Sequence, residues 1–214
     1  MPIARYIIYF GHLLLLLNTI LLIRSYRKQS VAFNIYTYYL VLILIIQIIS
    51  SYKSFYKTPN IHLSHFYFIG QFILLSIFFK NILEKKSLKK ITTFTLVIVV
   101  IAMGLYYVLY PSNYYKFNIF EIVITSVPLI TYCFFFFIQA IDGTSKKFTY
   151  IVSGFFLYIL CSTLLFISGN LNASIMKAMW AINALLYIIY QVLIFTEWYK
   201  NLRTLKKDHS QLND

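Results

Sequence analysis

Acidic residues are scarce. Six Asp and Glu stand against nineteen Lys and Arg in 214 residues, and charged residues make up only 12% of the chain, about half the share of an ordinary soluble domain. With 60% of residues hydrophobic and a mean hydropathy of +0.74, there is too little polar surface to cover a core in water. That excludes a soluble domain. No Asp falls inside an apolar run: Asp142 sits in a loop, and Asp208 and Asp214 sit in the tail. A metal-dependent intramembrane hydrolase, built on several His and a buried Asp, therefore lacks its carboxylate. Ser126, Ser153 and Ser162 have no histidine near them in the chain and no nucleophile elbow around them. Of four prolines only Pro128 lies well inside an apolar run, and the first three runs do not repeat in the last three, which argues against a parallel-repeat transporter. The last run has no deep lysine for a retinal Schiff base, since Lys177 lies about one turn in. Cys133 and Cys161 sit at depths about 10 Å apart along the membrane normal, so a disulfide between them is not expected.

What the chain has is long apolar runs. A helix needs about 20 mostly apolar residues to cross about 30 Å of hydrocarbon, and seven such runs lie near residues 3–23, 31–51, 62–82, 91–111, 117–141, 148–168 and 173–197. They are continuous rather than alternating, so membrane strands are not expected. The expected fold is an all-α bundle of seven transmembrane helices over residues 1–199. A basic tail follows at 200–214. The first run ends in Arg24-Ser25-Tyr26-Arg27-Lys28, where a cleaved signal would need small residues, so it reads as a retained span.

Lys and Arg in short loops are held on the cytoplasmic side. Counted by alternate sides, Arg5, Lys53, Lys57, Lys116 and Lys177 fall on one side and the other fourteen on the opposite side. The bias sets the N-terminus outside and the C-terminus in the cytoplasm. The basic residues sit in clusters between apolar runs, not along one soluble face, so anionic lipid headgroups and not nucleic acid are the expected counter-charge.

With directions set, intramembrane polar residues acquire depths, and these carry the functional reading. Gln47, His62, His65, Glu121, Lys177 and Trp180 fall in the outer third. His12, Gln71 and Asn183 fall near mid-depth. Asn18, Asn34 and Gln191 fall in the inner third, with Glu197 at the boundary. A carboxylate one turn inside the membrane needs a partner or a proton, and His65 and Lys177 share the depth of Glu121. Either they form a titratable outward-facing network, or Glu121 and Lys177 snorkel to the interface separately. His62 and His65 share a helical face at a spacing that can hold a metal. His12 would be a third imidazole, but it lies deeper, and bridging between helices is the plainer role for all three. On the last helix Trp180, Asn183, Tyr187, Tyr190, Gln191 and Ile194 form one stripe that should face inward. Either it is glue between helices, or with Trp180 and Asn183 it walls a small-molecule pocket. The expected cavity is His65, Glu121, Lys177, Trp180 and Asn183. Arg203, Lys206 and Lys207 are the expected contacts with lipid or a partner.

The last quarter, with Phe148, Gly154-Phe155-Phe156-Leu157-Tyr158, Leu165-Phe166-Ile167-Ser168-Gly169-Asn170 and Trp180-Ala181-Ile182-Asn183-Ala184-Leu185-Leu186-Tyr187, resembles an uncharacterised group of small seven-helix membrane proteins of Bacteroidetes-type bacteria. The Lys, Ile, Asn, Tyr and Phe-rich composition is similar as well. The resemblance implies a companion of bacterial signalling proteins such as sensor kinases, and it carries no activity and no functional residues. The expectation is thus a protein of the bacterial cytoplasmic membrane with a sensing or signalling-accessory role and a cytoplasmic or membrane partner. No catalytic residue and no cofactor are assigned. The alternatives are a membrane-embedded lipid hydrolase using His12, His62 and His65, or a structural membrane subunit without a ligand.

Overall fold

A computed structural model describes residues 2–26, 29–143, 147–169 and 176–203, with side chains described throughout except at 2–5, 168, 169 and 176–180. All regular structure among the described residues is helical: α1 (Pro2–Ser25), α2 (Val31–Phe55), α3 (His62–Ile82), α4 (Lys86–Leu109), α5 (Ile119–Ile141), α6 (Thr149–Gly169) and α7 (Met176–Glu197). A 3-10 turn (Pro111–Tyr115) leads into α5, and a π-helical turn (Trp198–Leu202) extends α7. Among the described residues seven helices are long and apolar enough to cross a membrane, so the chain is a multi-pass membrane protein. In hydrocarbon a backbone must satisfy its own polar groups, which a helix does. Three buried threonines do the same with their hydroxyls: Thr19, Thr37 and Thr125 each donate to the carbonyl four residues back, at 2.7, 2.9 and 2.7 Å.

The chain divides into two compact units, residues 29–136 and residues 1–28 with 137–214. In the first, α3 packs against α2 and α4. Its core is aromatic. Tyr36, Tyr39, Phe72, Phe78, Phe79 and Tyr132 are all buried, with ring centroids 5.3 Å apart for Tyr36–Phe78 and 5.8 Å for Phe79–Tyr132, offset as ring quadrupoles prefer. Tyr39 donates to Gln71 Oε1 at 3.2 Å, so the mid-depth amide is met by a neutral partner. The helix bounds have local causes. Ser30 caps α2 by accepting from the Phe33 N–H, and Pro111 suits the first position of the turn it opens. α3 ends at Ile82, where Leu83 turns extended and its N–H still bonds the Phe79 carbonyl.

In the second unit α7 packs against α1 and α6. Tyr187, Tyr190, Gln191 and Ile194 are buried, as the stripe on the last helix requires. Gln191 takes both its backbone and side-chain carbonyl bonds from the Asn18 amide, at 2.8 and 2.9 Å, a neutral link between α1 and α7 of the kind that joins membrane helices. Gly154 permits the close approach of α6 to α7: a Cβ there would lie 2.9 Å from Leu193 Cδ1 and 3.0 Å from Leu193 Cβ. Gly154→Ala is expected to force the helices apart and cost about 1–3 kcal/mol in detergent unfolding. Gly104→Ala, with nothing within 4 Å of the added carbon, is expected to be neutral or slightly stabilising.

Candidate functional site: a buried His–Glu–Tyr cluster

The α2–α3 and α4–α5 connections bring four elements of the 29–136 unit to one end, and Glu121 is held there from below and from the side. Asn118 precedes α5 and accepts from the Glu121 N–H at 3.3 Å, the bond of an N-terminal cap. A carboxylate in the first turn also meets the positive end of the helix dipole. Glu121 is 1% exposed and His65 3%, and Oε2 lies 2.5 Å from His65 Nδ1. Tyr107 from α4 donates to the same Oε2 and lies 2.8 Å from His65 Nδ1. The Asn118 amide donates to the Tyr107 oxygen at 3.2 Å. One asparagine thus caps the helix that carries the acid and orients the phenol that binds it.

The other ring nitrogen fixes the chemistry. His65 Nε2 lies 2.9 Å from the Tyr114 carbonyl oxygen, which can only accept, so Nε2 carries a proton. A hydrogen bond between Nδ1 and Oε2 requires one proton between them. That proton can sit on nitrogen, giving imidazolium and carboxylate, or on oxygen, giving imidazole and carboxylic acid. Both arrangements are neutral overall, which is what a low-dielectric site favours. Glu121 Oε1 is buried and has no hydrogen-bond partner among the described residues. The Tyr107 and Tyr114 rings lie 5.1 and 5.3 Å from the imidazole and close the cluster with apolar surface.

A second histidine stands one turn away on α3 in a different state. Lys53 Nζ lies 3.0 Å from His62 Nε2, and because the ammonium only donates, that nitrogen accepts. A metal would have to displace Lys53 from His62 and Glu121 or Tyr114 from His65. His12 belongs to the other unit, where its ring meets Tyr9 at 6.5 Å, and no group of three His, Cys, Asp or Glu side chains able to hold a metal occurs among the described residues.

Of the residues expected to form the cavity, the structure brings His65 and Glu121 together. Asn183 lies in the other unit, half-buried, with an Oδ1 that has no hydrogen-bond partner among the described residues. The side chains of Lys177 and Trp180 lie outside the described residues, as do Lys206 and Lys207. Arg203 is exposed, with its guanidinium over the Tyr199 ring at 5.4 Å. Sequence reasoning missed Tyr107, Tyr114 and Asn118. The spacing Asn118-Ile119-Phe120-Glu121 is that of a capping box and signals the helix start; nothing in the sequence signals a backbone carbonyl at Tyr114 as the partner of His65. No family model, no curated protein and no solved structure matches the chain.

Proposed function

We propose that this chain is a small polytopic protein of the bacterial cytoplasmic membrane with a sensing or signalling-accessory role. In this reading the His65–Glu121–Tyr107 cluster holds two states that differ in where one proton lies, and a cytoplasmic or membrane partner reads the difference. The observation that carries it is the buried contact of His65 Nδ1 with Glu121 Oε2, together with a carboxyl oxygen, Oε1, that has no hydrogen-bond partner among the described residues. Groups of this kind cluster at functional sites because a purely structural role is served more cheaply by neutral partners such as Tyr39 and Gln71. The distribution of Lys and Arg supports an outward orientation of this end of the unit, toward protons or small polar ligands from that side. The resemblance of the last quarter to companions of signalling proteins points the same way.

The test is a mild-detergent pull-down of tagged protein from native membranes, comparing wild type with Glu121→Gln, with mass spectrometry of proteins and small molecules. Glutamine keeps the shape and offers an oxygen to Tyr107 but cannot exchange the proton. A kinase or regulator recovered in stoichiometric yield with wild type, and in altered yield with Glu121→Gln, is the expected result. A chain that purifies without a protein partner and cleaves lipid, with the cleavage stopped by a chelator and by His12→Ala, would instead make it a lipid hydrolase.

A further inference from the structure

A groove of about 520 Å³ runs between the end of α3 and the start of α4, lined by Lys80, Lys89, Lys90, Thr93, Phe94 and Val97. Lys80 and Lys90 are exposed and Lys89 half-buried. The nearest carboxylate in the chain, Glu84, does not line it. Three ammonium groups from two helices thus face one space with no acid among its walls. The start of α4 makes the imbalance worse. Its first turn has no acidic residue and its N-cap, Lys85, makes no side-chain capping bond, so positive side chains stand at the positive end of a helix dipole, where anions are favoured.

The walls change character along α4. From Lys89 to Val97 the helix rises about 12 Å, and over that length cations give way to Phe94 and Val97, which are 68% and 51% exposed. Beyond them Ile98, Ile101 and Leu105 remain exposed on the same helix, as a face turned to hydrocarbon would be. A ligand matching this groove carries a negative headgroup at one end and an acyl chain at the other.

We infer that the α3–α4 groove is a docking site for one anionic phospholipid, its phosphate held by Lys80, Lys89 and Lys90 and an acyl chain laid on Phe94 and Val97. Charge complementarity selects the headgroup, and the continuity of the groove with the apolar α4 face selects a lipid over a soluble anion. The site is separate from the buried cluster around Glu121 and does not depend on its role.

The experiment is native mass spectrometry and equilibrium binding of the purified full chain with phosphatidylglycerol and with phosphatidylcholine. The groove variant is Lys80→Gln/Lys89→Gln/Lys90→Gln. The control is Arg24→Gln/Lys147→Gln/Lys200→Gln, which removes equal charge from exposed positions away from the groove and from the start of α4. Wild type and control are expected to retain one tightly held phosphatidylglycerol. The groove variant should bind it at least tenfold more weakly, since each lysine near an anionic headgroup contributes about a fivefold factor, and Phe94→Ser should weaken it with all charges kept. Equal losses in the groove and control variants would reduce the effect to general surface attraction and overturn the site. Equal retention of phosphatidylcholine, or full displacement by inorganic phosphate, would overturn it as well.

Discussion

His65→Ala is expected to destabilise the protein more than any other single change in the outer cluster, by about 3–5 kcal/mol, because it leaves the buried Glu121 carboxyl without its charge partner. Glu121→Ala should cost less, about 1–3 kcal/mol. The asymmetry follows from the geometry. Without Glu121 the imidazole stays neutral with its proton on Nε2 toward Tyr114, and Nδ1 accepts from Tyr107, which already lies 2.8 Å away. Without His65, Tyr107 alone remains to meet an acid that is 1% exposed. The double change His65→Leu/Glu121→Leu should recover much of the loss, since replacing a buried ionic pair by apolar side chains is often neutral or better. Detergent unfolding of wild type, the two single leucine variants and the double leucine variant forms a double-mutant cycle. Equal costs for the two alanines and no recovery in the double variant would mean that the pair carries no coupled proton.

The seven helices were legible because hydrocarbon enforces one backbone solution, and run length alone reports it. Depth made more visible than the apolar runs did. Asn18 and Gln191, 173 residues apart, fall at the same inner depth and bond to each other, and His65 meets Glu121 at the outer depth they share. Depth does not give azimuth, however. Tyr107 looks like any interfacial tyrosine in a chain with twenty of them, and its selection depends on how α4 rotates against α3. The Tyr114 carbonyl is invisible for a stronger reason, since every residue has one and only the turn at Pro111–Tyr115 aims it at His65.

Glu197→Ala should produce a loss comparable to His65→Ala, about 3–5 kcal/mol, from the opposite kind of site. Glu197 is fully buried and its oxygens are engaged. Oε1 accepts from the Phe148 N–H at 2.8 Å and the Asn201 amide at 2.7 Å, and Oε2 accepts from the Tyr150 N–H at 2.9 Å. Phe148 stands just before α6, its carbonyl taking the Val152 N–H at 2.9 Å, yet its side chain has no oxygen to cap the free donors. The C-terminal end of α7 supplies that cap from 49 residues away in the chain, with the charge the dipole favours. Phe148 also holds φ +69, a conformation that costs a non-glycine residue about 1–2 kcal/mol and is kept by the bonds that surround it. Next in sequence, Trp198 donates to Ser25 at 3.2 Å, so α1, α6 and α7 are tied at one end. The two buried carboxylates among the described residues thus divide by saturation. Glu197 is bonded through both oxygens, whereas Glu121 is bonded through Oε2 and its Oε1 has no hydrogen-bond partner among the described residues. Hydrogen exchange separates them: Glu197→Ala should open the Phe148 and Tyr150 amides and leave the α3–α4 amides protected, and Glu197→Gln should fall between wild type and alanine because one oxygen remains to accept. Unchanged protection at Phe148 and Tyr150 in Glu197→Ala would mean that the cap is dispensable and that α6 is anchored by packing on α7 alone.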